Sequence, residues 1–176
     1  MNLANLITVF RIILAPIYLW LLYQFYDSGE MSKWYLLAGF ILLAATDGID
    51  GAVARKKGIV TKLGKTLDPI ADKVLLGGAF LVLSMLGTMP WWATTAILVR
   101  EVGITIYRLA VIRDRVIPAS SSGKTKTILQ AIAIGYFISP LLISWHNTSF
   151  DLGFGLIYGA VFLTWWSAIR YIKESK

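Results

Sequence analysis

Residues 44–73, AATDGIDGAVARKKGIVTKLGKTLDPIADK, gather Asp47, Asp50, Asp68 and Asp72, four of the chain's ten acidic residues, between positions 47 and 72. Apolar runs long enough to span a bilayer flank this stretch on both sides. A carboxylate at membrane depth costs several kcal/mol unless its charge is offset, so a functional site is the default reading. Asp47, Asp50, Gly51 and Ala54 fall at i, i+3, i+4 and i+7, one face of a helix. Gly64, Asp68 and Asp72 recur every fourth residue, again a single face. A basic linker from Arg55 to Lys65 joins the two. The pattern predicts two antiparallel neighbouring helices whose acidic faces meet.

The rest of the chain is greasy. Of its 176 residues 57% are hydrophobic and 13% aromatic, with a mean hydropathy of +0.67. Soluble domains average about 45–50% apolar, so this composition indicates a membrane protein. Length predicts one domain, residues 1–176. The absence of cysteine excludes disulfides and thiolate metal sites. The opening MNLANLITVFR has neither a basic n-region nor a small-residue cleavage site, so its apolar run is expected to stay as a membrane helix.

Six apolar segments, at 7–26, 34–54, 67–87, 90–112, 126–145 and 152–171, each approach the ~20 residues that cross a ~30 Å hydrocarbon core. The loops between them sort by charge. Those around 27–33, 87–90 and 146–151 carry Lys33 as their single Lys or Arg, while the other loop Lys and Arg, ten of them, fall in the opposite set. By the positive-inside rule both termini and the aspartates face the cytoplasm. The expected fold class is therefore all-α: a polytopic bundle of six transmembrane helices. The net charge of +7 is spent on this topology, which argues against nucleic acid as a partner. Trp165 and Trp166, near Arg170 and Lys173, read as an interfacial anchor.

Other polar residues punctuate the spans. Asn5, Thr8 and Arg11 open the first, with Asn5 as a candidate helix start or N-cap and Arg11 as a candidate snorkelling cation. Pro16 is a candidate kink, and Pro69 is expected in the first turn of the third helix, beginning near Thr66. Glu101, Thr105 and Arg108 form one stripe on the fourth span, beside Arg100, and should face the bundle interior. A structural Arg–Glu pair between helices is the alternative use for these charges. Arg113, Arg115, Lys124 and Lys126 follow in a polar loop, RDRVIPASSSGKTKT, and Lys126 shares a helix face with Gln130. The Gly123–Lys124 pair lacks the spacing of a nucleotide-binding phosphate loop. His146, the single histidine, falls in an outer loop and reads as solvated.

Carboxylates without Cys or His select hard divalent cations such as Mg²⁺, Mn²⁺ or Ca²⁺. Four crowded anions repel one another, and two divalent ions would cancel their charge. A carboxylate-bridged metal pair is an established clamp for displacement at phosphorus. Gly51, Ala54 and Gly64 leave room on the same faces for a ligand, or alternatively allow close helix packing. Arg55 can take a phosphate in bidentate fashion.

The stretch matches D-x2-D-G-x2-A-R-x8-G-x3-D-x3-D at all eight fixed positions: Asp47, Asp50, Gly51, Ala54, Arg55, Gly64, Asp68 and Asp72. It resembles the signature of the CDP-alcohol phosphatidyltransferases, and the similarity extends over almost the whole chain. NLITVFRIILAP at 5–16, the Arg100–Glu101 pair followed by Arg108, and GKTKTILQ at 123–130 resemble bacterial members whose acceptor is sn-glycerol 3-phosphate. Ala4 stands where those members often have proline.

The resemblance implies transfer of a phosphatidyl group from CDP-diacylglycerol to sn-glycerol 3-phosphate, with release of CMP. Asp47, Asp50, Asp68 and Asp72 would hold two Mg²⁺ (or Mn²⁺) ions, with Asp72 also the general base. Asn5, Thr8, Gly51, Ala54, Arg55 and Gly64 would line the CDP site. The acceptor carries its own phosphate, for which Arg108, Lys124 and Lys126 are the candidate cations. The resemblance further implies a homodimer in the bacterial inner membrane.

Other readings remain at this level. The signature fixes CDP chemistry more firmly than the alcohol, so an inositol phosphate or a phospholipid is an alternative acceptor. A membrane prenyltransferase also uses aspartate-rich helices, but in a longer chain with its motifs in separate halves. A divalent-cation transporter would continue its polar path to the outer side, where this chain is apolar.

Overall fold

The computed structural model describes the backbone of residues 3–56, 62–111, 121–141 and 148–174, and the side chains of 10–46, 73–107, 125–141 and 152–173. Within these residues the chain is all helical. Six helices follow in order: α1 (Leu3–Phe25), α2 (Glu30–Lys56), α3 (Lys62–Met85), α4 (Trp91–Val111), α5 (Ser121–Ile138) and α6 (Thr148–Glu174). Every apolar segment of the sequence contributes one of them.

Several local expectations need correction. Asn5 lies inside α1, which starts at Leu3 and runs unbroken through Pro16, so Asn5 does not begin the helix. Arg11 is only 3% exposed and belongs to the bundle interior instead of snorkelling outward. Helix α3 begins at Lys62, because Lys62, Leu63 and Lys65 are good helix formers that extend it before the apolar run; Pro69 is therefore interior to it. Helix α5 ends at Ile138, just ahead of Pro140, whose ring disfavours helical geometry in the residue before it. His146 lies outside the described residues.

Helix α3 is the central strut. It packs on α1, α2, α4 and α5, with its broadest contact to α1, while α5 and α6 form the second extensive pair and α4 leans on α6. Its buried stripe Leu75, Leu76, Ala79, Phe80 and Leu83 meets Ala15, Tyr18 and Leu22 of α1 and Ile134, Phe137 and Ile138 of α5 in one core. The opposite face of α1 is equally apolar yet exposed: Phe10, Ile13, Ile17 and Trp20 stand outward. A helix apolar on all sides and partly uncovered suits a lipid surround, not water. Among the described residues, one helical stretch, Leu152–Lys173, is by itself long and apolar enough to cross a membrane.

Buried hydrogen bonds fasten the helices at the end away from the aspartates. The Tyr26 hydroxyl donates to the Phe137 carbonyl at 2.7 Å, and that of Tyr18 to the Leu36 carbonyl at 2.9 Å. Ser84 and Thr94 meet at 2.7 Å across α3 and α4. These two helices are joined by a tight turn. Gly87, at φ 73°, lets its own N–H reach Ser84 O and the Thr88 N–H reach Leu83 O, closing the last carbonyls of α3.

Candidate active site

The signature residues divide between two helices. Asp47, Asp50, Gly51, Ala54 and Arg55 lie in the C-terminal part of α2, and Gly64, Asp68 and Asp72 in the N-terminal part of α3. Both segments are helical, so the i, i+3 and i, i+4 spacings do place each carboxylate pair on one helix face. Helices α2 and α3 also pack on each other. The side chains of these eight residues, and of Asn5, Thr8, Arg108 and Lys124, lie outside the described residues. Asn5 and Thr8 belong to α1, Arg108 to α4 and Lys124 to α5. Among the described side chains, no group of three His, Asp or Glu could hold a metal ion. Carboxylates are the donors that a hard divalent cation takes, and the sequence places four of them on the adjacent helices α2 and α3.

Immediately after Asp72 the described side chains begin, and they form a polar joint across four helices. Lys73 of α3 donates its ammonium to Thr105 Oγ1 of α4, and Thr105 in turn donates to the Glu101 carbonyl one turn earlier at 2.7 Å. The Glu101 carboxylate oxygen Oε1 accepts from Arg100 Nη1 at 2.8 Å and from the Lys126 ammonium of α5. Arg100 Nη2 reaches Ser167 Oγ of α6, and Gln130 Nε2 donates to Thr164 Oγ1 at 2.9 Å. The expected Arg–Glu pair therefore exists, but within one helix; the link between helices comes from Lys126. Charges at this depth do turn inward, with the side chains of Arg100, Lys126 and Glu101 only 5%, 13% and 19% exposed.

A cavity of about 140 Å³ opens beside the joint between α3, α4 and α5. Lys73, Glu101 and Gln130 contribute polar groups to its wall, and Leu76, Phe80 and Ile97 contribute apolar ones. The sequence reading turned Glu101 inward and put Lys126 on a face shared with Gln130, but did not connect the two. It gave no role to Lys73 or Ser167. The available signal was a lysine stranded among apolar residues directly after Asp72.

Comparison with known proteins bears on what this arrangement is for. Residues 1–166 match the CDP-alcohol phosphatidyltransferase family. A probable phosphatidylglycerophosphate synthase of Mycobacterium tuberculosis is 51% identical over 176 residues, covering 99% of this chain and 81% of the relative. A CDP-diacylglycerol–glycerol-3-phosphate 3-phosphatidyltransferase of Bacillus subtilis is 38% identical over 161 residues, covering 86% and 80%. One of the same description from Haemophilus influenzae is 34% identical over 181 residues, covering 99% and 94%.

Proposed function

The chain belongs to the CDP-alcohol phosphatidyltransferase family, and from that premise we propose its reaction. It transfers the phosphatidyl group of CDP-diacylglycerol to sn-glycerol 3-phosphate, giving phosphatidylglycerophosphate and CMP in phospholipid biosynthesis. The observation that carries this reading is the 51% identity to a probable phosphatidylglycerophosphate synthase across 99% of the chain, together with the full eight-residue signature.

In the mechanism we favour, a hydroxyl oxygen of glycerol 3-phosphate attacks the phosphatidyl phosphorus while the bond to the CMP oxygen breaks. An alcohol is a weak nucleophile, and the Asp72 carboxylate is the group we assign to take its proton as the new bond forms. Asp47, Asp50, Asp68 and Asp72 would hold a divalent pair, for which Mg²⁺ or Mn²⁺ suits the all-oxygen donors. When bound, those ions supply Lewis-acid stabilisation of charge on the phosphoryl and leaving oxygens. Arg55 would offset charge on the departing CMP, while Gly51, Ala54 and Gly64 give the nucleotide close access to backbone, near Asn5 and Thr8. Arg108, Lys124 and Lys126 are assigned to the acceptor's phosphate.

Family members are membrane-bound, and we extend this to a single domain of six spans with both termini and the active site on the cytoplasmic side of a bacterial inner membrane. A homodimer is part of the same proposal. Such a site lets a lipid donor and an aqueous acceptor meet at the headgroup boundary.

The test is CMP release from purified protein with CDP-diacylglycerol, Mg²⁺ and a panel of alcohols. Glycerol 3-phosphate alone should support turnover, and both EDTA and Asp68→Ala should abolish it. Turnover with an inositol phosphate instead would overturn the acceptor assignment. Undiminished release by Asp68→Ala would overturn the metal one. Arg108→Ala should raise KM for glycerol 3-phosphate far more than KM for CDP-diacylglycerol; equal changes would remove Arg108 from the acceptor site.

A further inference from the structure

Glu101 is the one carboxylate among the described residues of the joint, and three cations converge on it. Arg100 and Lys126 share its Oε1, and Lys73 reaches its backbone carbonyl through Thr105. Arg100 is itself held from α6 by Ser167, whose hydroxyl also donates to the Thr164 carbonyl at 3.2 Å. Glu101 is thereby fixed on α4 from two further helices, and what it holds in turn is a lysine on α5.

A lysine stem loses rotamer freedom when its ammonium is confined. If an ion pair has already confined it, a ligand that arrives later does not meet that cost. The ammonium carries three donors, and the contact with Glu101 occupies one, so pairing with Glu101 and binding a phosphate are compatible.

We propose that Glu101 is a positioning residue: it holds the Lys126 ammonium in place for the acceptor's phosphate, acting through that ion pair without touching the acceptor. The idea rests on the reading of Lys126 as an acceptor-phosphate cation. A merely structural joint behaves differently. Its loss lowers stability and impairs the handling of both substrates alike, whereas loss of a positioning contact falls on the acceptor alone and vanishes once Lys126 is gone.

The experiment is steady-state CMP release by the purified full chain, varying each substrate in turn, for Glu101→Gln, Glu101→Asp, Lys126→Met and the double variants. Glu101→Gln should raise KM for glycerol 3-phosphate about tenfold, the scale of a lost charged hydrogen bond, and leave KM for CDP-diacylglycerol unchanged. Glu101→Asp keeps the charge but draws it back by one methylene, and should fall between wild type and Gln. In the Lys126→Met background neither change should add anything, since interacting residues are not additive. Effects that multiply across the pair, or that raise both KM values together, overturn the proposal. A normal acceptor KM in Lys126→Met removes the reading of Lys126 itself; a raised one there with a normal one in Glu101→Gln removes only Glu101. Should Glu101→Gln fail to fold, the Asp variant and its double decide in the same way.

Discussion

Lys33 lies just outside the second span, buried against the ring of Tyr26 with its ammonium 4.0 Å from the ring centroid. Burial pulls its pKa below the ordinary lysine value, and the nearby Asp27 carboxylate opposes that only in part. A lysine with a lowered folded pKa binds fewer protons folded than unfolded between its two pKa values. Stability should therefore rise as pH climbs through that window toward about 10.5, and the penalty is fully present below it. Lys33→Met keeps the stem and removes the charge. Thermal unfolding in detergent should show the wild type gaining on the variant as pH rises, and a constant gap between them would refute the assignment. At this scale the sequence is uneven. Asp47, Asp50, Asp68 and Asp72 declare themselves, because isolated acids in apolar surroundings demand a reason. Lys73 and Ser167 do not, since their partners Thr105 and Arg100 sit 32 and 67 residues away and no local spacing links them.

Two glycines mark where helices approach closely, and they should tolerate substitution differently. A Cβ on Gly78 of α3 would clash with Leu19 Cδ1 of α1, the far end of a flexible, half-buried side chain. A Cβ on Gly153 of α6 would fall 2.9 Å from Phe137 Cζ and 3.0 Å from Tyr136 Cε1, and the Phe137 ring is buried in the core. Gly153→Ala should therefore lower the unfolding temperature more, within the ~1–3 kcal/mol typical of overpacking. Trimming Leu19 to Ala should largely rescue Gly78→Ala, whereas it should do nothing for Gly153→Ala. Helices as elements were legible because each apolar run is long enough to need one. Their ends were less so. Hydropathy registers where apolar residues stop, but α3 continues outward through Lys62 to Lys65 and α6 begins at Thr148, within polar sequence that is still compatible with helix. The carboxylate faces of α2 and α3 followed from spacing alone; the joint among α3, α4, α5 and α6 did not, being a product of packing.

For the whole molecule the strongest expectation is orientation. The native chain has no cysteine, so single-cysteine variants report topology without background. Ser28→Cys, in the loop between α1 and α2, should react with an impermeant maleimide applied to intact cells. Ser175→Cys, near the C-terminus, should react only after lysis, and the reverse pattern would invert the proposed topology. The burial of Lys33 has a consequence at this scale. Beside it Asp27 and Glu30 stand exposed, so this rim shows the surrounding bilayer two negative groups while its ammonium is tucked away. The opposite rim, by sequence, is strongly basic. In the proposed topology such a molecule would be polarised along the bilayer normal: anionic lipids would be repelled at one leaflet and drawn in at the other, so its annulus should be enriched in acidic headgroups on one side only.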